Sequence, residues 1–488
     1  MQYSIWVWSL FIIATILGKN VDVNIYGTTA DGWEYIRDFL KENLEEQRDL
    51  GASVAIYHQG KLVVDLWGGW FDQTQMKPYD NDTLQLVFST SKGLVAVALA
   101  LCVQRGLLDY SALVTKYWPE YGQNGKENTT VADILSHRAG LPLDFSPFEQ
   151  YFNWTAMIHK LEQAHPMWPP GTAHSYHSLT YGWLTGELVR RVDPMKRTLG
   201  QFIRDEIANR LNIEFYIGLP SEQEYRVSPL DFKSIENGTY NQSSINNYDV
   251  LNNQSAHQAE IPAINGITDA RSVARLYASL IGDLDNNKYQ RLLTKEILEQ
   301  ATKSNTPEGE LDFLLKLPSR FSMGFMLMDA VFPSLDPDVF GHSGAGGSTG
   351  FVAPAKNFSF AYVINRMNNL AIDTDPRYKS MLYKIATMIN SNNTSVVRTF
   401  CKNHINTIWF STTDWENFHS FGEQFADEIL HSCEVELETS EYSNYKWKIL
   451  FIFDDQQTDL YDRFSQAISS IQTNHNIDEE FYYPVASM

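Results

Sequence analysis

The position of the strands is what most narrows the fold. Ala52-Ser-Val-Ala-Ile-Tyr57, a turn at Gln59-Gly60 and Lys61-Leu-Val-Val-Asp-Leu-Trp67 read as a hairpin, ended by Gly68 and Gly69. The next strands come far downstream, at Phe321–Met328, Val339–His342, Gly350–Pro354 and Phe358–Asn365. Strands joined by short links, at both ends of the stretch between them, read as antiparallel neighbours. The economical solution is one antiparallel sheet completed from distant parts of the chain, with a mostly helical domain inserted over about 105–320. Amphipathic helices over Asp31–Asp49 and Tyr378–Ile389 complete it. The expected class is α/β of the α+β kind, an antiparallel sheet flanked by helices.

Within the insert, the pattern predicts a helix from Ser89 to about Gly106, a short one opened by Thr130 with Asp133 near its positive end, and further helices over Asn153–Gln163 and Leu179–Val192. Thr268 is expected to cap another. His137 reads as a hydrogen-bonding residue at a helix end rather than a catalytic group. Residues 215–262 are polar and aperiodic, and are expected to form a surface insert that walls a substrate site.

The chemistry centres on Leu86-Val-Phe-Ser-Thr-Ser-Lys-Gly-Leu94. Ser89 and Lys92, three apart at the start of an apolar helix, share one face. A lysine can take the serine proton only when neutral, which burial favours, and free N–H groups at the helix start favour developing negative charge. Tyr176, after the Trp168-Pro-Pro-Gly171 turn, is placed on a rigid support from which a phenol can relay a proton. Gly341-His-Ser-Gly-Ala-Gly-Gly-Ser-Thr-Gly350 is a glycine-rich strand end whose backbone can approach a carbonyl and donate to an oxyanion. Its Gly346-Gly-Ser348-Thr-Gly350 also fits the G-x-S-x-G pattern, but that elbow needs a helix after the serine, and here a strand follows.

These residues resemble the serine β-lactamase and penicillin-binding-protein superfamily, and within it the esterase-like branch related to class C β-lactamases. Ser89-x-x-Lys92 matches the first motif, Tyr176-His-Ser178 the Y-x-N position and His342-Ser-Gly344 the K-T-G position. The Val54–Gly69 hairpin, Leu135-Ser-His-Arg-Ala-Gly140-Leu, Tyr181-Gly-Trp-Leu-Thr-Gly186 and Ala270-Arg-Ser-Val-Ala-Arg275 agree, so the resemblance spans about 27–392. It implies a β-lactamase-like fold and an acyl-enzyme cycle. Ser89 would attack a carbonyl, Lys92 and Tyr176 would share the base and acid roles, and the N–H groups of Ser89 and Ala345 would hold the oxyanion. Ser178, His342, Ser343 and Gly344 would line the substrate site. Two departures narrow the chemistry. Ser178 stands where the family has Asn, and His342 where it has Lys, so a fixed positive charge becomes pH-dependent or absent. Both argue against β-lactams and leave ester or amide hydrolysis open.

A net charge of −21 argues against nucleic acid and anionic membranes as partners. From Cys401 onward 16 Asp+Glu face 4 Lys+Arg, so residues 393–488 read as an acidic extension of unassigned fold, with one strong strand at Tyr445–Phe453. Ile5–Leu17 fits a secretory signal within residues 1–20, the alternative being an uncleaved anchor or a docked apolar helix. Nine N-x-S/T sequons accord with a secreted or lumenal glycoprotein. Of the three cysteines, Cys102 is expected to pack as a small hydrophobe, and Cys401 and Cys433 could pair. No cofactor or metal spacing appears. The expectation is a serine hydrolase acting on a small ester or amide, carboxylesterase first and peptidase-like second. The alternative is a non-catalytic ligand-binding or interaction protein. Oligomeric state is left open.

Overall fold

The computed structural model describes residues 23–74, 76–232, 249–335, 337–368, 370, 374–391, 409–410, 447–452 and 477–482. The chain divides into two units, Met1–Ala386 and Thr387–Met488. In the first unit the strands are β1 (Ile25–Thr29), β2 (Gly51–His58), β3 (Lys61–Gly69), β4 (Leu84–Leu86), β5 (Phe215–Tyr216), β6 (Val227–Ser228), β7 (Ile267–Thr268), β8 (Met326–Leu327), β9 (Phe340–Ser343), β10 (Thr349–Ala353) and β11 (Phe358–Ile364). The principal helices are α1 (Tyr35–Glu45), α2 (Ser91–Gln104), α3 (Thr180–Val192), α4 (Ala270–Ile281) and α5 (Pro376–Ser391).

Seven strands form one antiparallel sheet in the order β1-β3-β2-β11-β10-β9-β8. The two distant strand sets meet at its centre, where β2 pairs β11 from Ala52↔Ile364 to His58↔Phe358. Every residue of β11 is buried, as a central strand covered on both faces requires. Its alternating side chains show what covers it. Ser359 donates to the Ala274 carbonyl of α4, while Tyr362, of opposite parity, accepts from Asn43 of α1. The long apolar strand expected at Phe321–Met328 is reduced to β8 and an isolated bridge between Phe321 and Met326. Here Gly324, at φ +98°, breaks the extended run.

The inserted region is not purely helical. β5, β7, β4 and β6 form a second, four-stranded sheet in that order. This corrects the reading of residues 215–262 as a surface loop over 215–232 and 249–262, the rest lying outside the described residues. Phe215, Ile217 and Leu219 alternate inward, and Val227, Leu230, Leu251 and Ile261 are also buried. Strands of two residues carry too little periodicity to be seen among polar neighbours. The cap of α4 is also corrected. Asp269 accepts the Ser272 N–H at 2.7 Å, and Thr268 lies in β7. Thr130 and Asp133 do form a reciprocal capping box. α2 is buried from Ser91 to Cys102 and packs on α3. Cys102 is a buried free thiol whose pKa burial pushes up to about 12.

The second unit contains β12 (Trp409–Phe410), β13 (Trp447–Ile452) and β14 (Ile477–Tyr482), paired parallel in that order, with β13 inside the stretch read as a strand. Among the described residues no helix is long and apolar enough to cross a membrane. The signal segment, Cys401, Cys433 and the sequons at Asn237, Asn241, Asn392 and Asn393 lie outside the described residues.

Candidate active site

Ser89 is presented by a strained turn between β4 and α2. Phe88 before it has φ +47°, a conformation a bulky residue adopts only when its surroundings impose it. The surroundings are explicit. Val87 donates to Gly266 O at 2.9 Å. The Ser91 hydroxyl donates to Phe88 O at 2.5 Å and accepts the Gly266 N–H at 2.8 Å. The Thr90 hydroxyl donates to Ser348 O at 3.0 Å, tying the turn to the main sheet. Two of three consecutive hydroxyls therefore lock the backbone, and the third, on half-buried Ser89, faces Lys92.

Lys92 is fully buried. Its Nζ lies 2.8 Å from Ser178 O, 2.9 Å from Ala263 O and 3.1 Å from Ser89 Oγ. Burial drives its pKa well below that of a free lysine, and no carboxylate opposes the shift. A neutral amine has two N–H donors and one lone pair. The two carbonyls take the donors, which leaves the lone pair for the Ser89 hydroxyl proton.

The Tyr176 hydroxyl lies beside Ser89, and its ring centroid lies 4.8 Å from Lys92 Nζ. Burial raises the phenol pKa, so the group is a protonated donor rather than a tyrosinate. The ring stacks on Phe321 with centroids 6.0 Å apart and lies 4.9 Å from that of His137. Its main chain is pinned by Asp312, which accepts the Tyr176 N–H at 2.8 Å and the Ser175 hydroxyl at 2.7 Å. On the other side the His137 carbonyl accepts the Ser175 N–H and its Nδ1 accepts the His177 N–H. His137, with φ +61°, ends a helix and bonds neighbouring backbone, as its sequence position predicts. His177 accepts the Leu141 N–H at Nε2, so its Nδ1 carries the proton donated to Ser175 O at 2.6 Å. Both imidazoles are thus neutral, in line with the downward shifts that burial imposes, His177 to about 4.

Ser178 contributes its carbonyl to Lys92, while its side chain faces solvent. His342, buried in β9, donates from Nδ1 to Ser343 O at 2.9 Å. Burial, and secondarily Lys92, lowers its pKa to about 3, so this position carries no positive charge at neutral pH. Ser343 bonds Thr349 Oγ1 at 2.8 Å. At Gly344 a Cβ would fall 2.2 Å from Val87 O, so only glycine lets this strand end pass the Ser89 turn. Ala345 is exposed, and neither its N–H nor that of Ser89 donates to a protein acceptor among the described residues. Both are free to receive an oxyanion.

Arg377 supports that turn from behind. Its Nη2 donates to Gly346 O at 2.5 Å, and buried Asp49 and Asp375 neutralise it. Ser348, the other serine weighed, is buried, accepts the Ile364 N–H and leads into β10. It is not on a strand-to-helix elbow. Sequence reasoning missed Asp312, Arg377 and the locking role of Ser91. A lone carboxylate inside Leu311-Asp-Phe-Leu-Leu-Lys-Leu317 was a usable signal for the first; nothing local marks the others. Among the described residues no His, Cys, Asp and Glu group is arranged to hold a metal ion.

Fold and site together define a serine hydrolase with an antiparallel core sheet and an inserted domain. The model of the Beta-lactamase family matches residues 36–381. The chain is 32% identical over 353 residues to the Mycobacterium tuberculosis "Esterase/beta-lactamase LipL", covering 67% of this chain and 79% of that protein. A solved family VIII carboxylesterase superimposes with TM-score 0.67 at 31% identity, covering 75% of this chain and all 100% of that one. A penicillin-binding protein homologue from Caulobacter crescentus gives TM-score 0.65 at 33% identity, with 75% and 100% covered. This chain belongs to the Beta-lactamase family and is one of its serine hydrolases.

Proposed function

We propose that the protein is a carboxylesterase-like enzyme that cleaves a small ester through a Ser89 acyl-enzyme. Neutral Lys92 takes the Ser89 proton as Oγ attacks the ester carbonyl, and the N–H groups of Ser89 and Ala345 hold the oxyanion. The carbon–oxygen bond to the alcohol then breaks, and Tyr176 passes its proton to the leaving oxygen while taking up the one that Lys92 received from Ser89. Water repeats the sequence to release the acid. The observation that carries this reading is Lys92 itself, fully buried with its Nζ 3.1 Å from Ser89 Oγ and no carboxylate bonded to it among the described residues, which favours the free base. Neutral His342 and the missing Asn at Ser178 weigh against substrates that need a carboxylate anchor, such as β-lactams.

The test is labelling with a serine-reactive fluorophosphonate, peptide mapping and assay on short p-nitrophenyl esters. Label on Ser89, lost in Ser89→Ala, is expected. No label together with no ester turnover would sink the reading. The rate should fall as pH drops through the lowered Lys92 pKa, because the protonated amine cannot accept a proton.

A secreted or lumenal glycoprotein is proposed for the same chain. In support, all five described sequon asparagines (Asn81, Asn128, Asn153, Asn253 and Asn357) are exposed. A mobility shift on glycosidase treatment of the native protein is expected; identical mobility would overturn it.

A further inference from the structure

The loop after the last helix of the inserted region exposes an unusual amount of apolar surface beside the site. Leu311, Phe313, Leu314, Leu315 and Leu317 are between 37% and 61% exposed. This exposure does not come from a slack segment. Leu311 bridges to Pro318, Asp312 N–H donates to Leu317 O at 2.9 Å, and Lys316 N–H returns to Asp312 O at 2.9 Å. The loop is fastened to the segment that carries Tyr176. Phe313 N–H donates to His174 O at 2.7 Å, and the Phe313 ring lies 5.0 Å from that of Trp168. The Asp312 carboxylate that pins Ser175 and Tyr176 also accepts the N–H groups of Leu314 and Leu315, at 2.9 and 2.8 Å. One carboxylate therefore sets both the catalytic phenol and the two leucines. A concentration of apolar side chains on a rigid, solvent-facing loop marks a surface meant to be covered.

We infer that these leucines form a subsite for the apolar chain of the leaving alcohol, so that the preferred substrates are esters of long, unbranched alcohols. The inference rests on the esterase reading above. In that cycle Tyr176 meets the leaving oxygen with its hydroxyl, and its backbone end is joined to the loop. Asp312 holds the N–H groups of Tyr176, Leu314 and Leu315 together, so an alcohol chain led from that oxygen toward the loop would meet the two leucines. A short alcohol ends beside the ring and never reaches them, whereas a long one exchanges water for leucine along its length. The only charge in Leu311–Leu317 besides Asp312 is Lys316, whose ammonium lies 4.8 Å over the Phe313 ring. A polar alcohol would find few partners there.

The test compares acetate esters from methyl to decyl, and separately p-nitrophenyl esters of lengthening acyl chain. The native protein is set against a Leu314→Ser/Leu315→Ser/Leu317→Ser variant. Fluorophosphonate titration counts folded, competent sites in each. The native decyl-to-methyl ratio of kcat/KM should be large and should fall roughly tenfold in the variant, the acyl series keeping its shape. A native enzyme that cleaves methyl acetate but ignores alcohol length would overturn the subsite and leave the esterase reading standing. A change confined to the acyl series would overturn it too. Loop-dependent binding to zwitterionic vesicles, with the monomeric alcohol series unchanged, would assign the leucines to a lipid surface instead and also overturn it. Failure to cleave any ester or take the label would remove both readings.

Discussion

The two walls that face each other across Ser89 are built on opposite principles. The wall behind the oxyanion N–H groups, Gly344–Gly347, is backed by a buried ion cluster in which Arg377 lies between Asp49 and Asp375 and holds the Gly346 carbonyl. The wall that carries Tyr176 is held by hydrogen bonds to one carboxylate, Asp312, by neutral histidines and by ring packing. Charges taken out of water are costly unless every partner is present. The sheet-side wall therefore belongs to the stability of the core and cannot be loosened without threatening the fold. On the Tyr176 wall the ion pair of Arg138 with Glu310, which His174 also joins, leaves Glu310 partly exposed, so errors there should appear more in the rate than in the melting temperature. Lys92 is bonded to the Ser178 and Ala263 carbonyls and to Ser89, so substitutions there act on the nucleophile itself rather than on one wall.

The largest effect is accordingly expected at Lys92. Lys92→Ala should lower kcat/KM for a p-nitrophenyl ester by about 10³–10⁴-fold and slow Ser89 labelling in parallel. Retention of labelling at the native rate would break the picture of a neutral base. Next comes the sheet-side wall. Arg377→Met strands two buried carboxylates and should cost about 3–5 kcal/mol, read as the shift of a thermal or urea transition. A variant of native stability would show that the cluster is not what holds this wall.

Acid should act on both sides of the site, through buried His342 of β9 and, on the Tyr176 wall, through His177. His177 is buried and neutral, with its pKa lowered to about 4 from an ordinary 6.5. Between those values the unfolded chain binds more protons than the folded one, so stability rises with pH across this window and is lost on acidification through it. The loss at pH 5 is on the order of 2 kcal/mol for this group. Melting temperatures at pH 7 and pH 5 should differ less in His177→Gln, whose amide oxygen can still accept from Leu141. An unchanged pH slope would remove His177 as a sensor.

How much of this was legible beforehand follows the same division. Ser89, Lys92, Tyr176 and the His342 strand were found because each has a local signature: a hydroxyl and amine in helical register, a Pro-Pro-Gly turn, a glycine-rich strand end. The central pairing of β2 with β11 was legible because apolar alternation survives in long strands. β5 and β6, two residues each, were not, and the described parts of 215–262, 215–232 and 249–262, were misread as surface loop. The positive φ of Phe88 runs against its intrinsic preference, so no propensity argument reaches it. Asp312 and Arg377 act at separations of 136 and 31 residues from the backbone they hold; a lone carboxylate among leucines was the one local sign of the first, and nothing local marks the second.

The smallest effect is the most informative about the comparison. Asp312 accepts four donors: the Ser175 hydroxyl and the N–H groups of Tyr176, Leu314 and Leu315. Asp312→Asn keeps the shape but turns one acceptor oxygen into an amine that faces donors, so Tyr176 should shift slightly while the fold persists. A displacement of that kind should lower kcat by roughly tenfold, little of it in KM, with the melting temperature almost unmoved. The deficit should also depend on the substrate. p-Nitrophenolate leaves without needing a proton, whereas an alkyl alcohol needs the one Tyr176 delivers, so alkyl esters should suffer more. A uniform loss across both leaving groups would mean that Asp312 sets the site as a whole. A loss of stability as large as that of Arg377→Met would mean that the two walls are held by the same kind of bond after all.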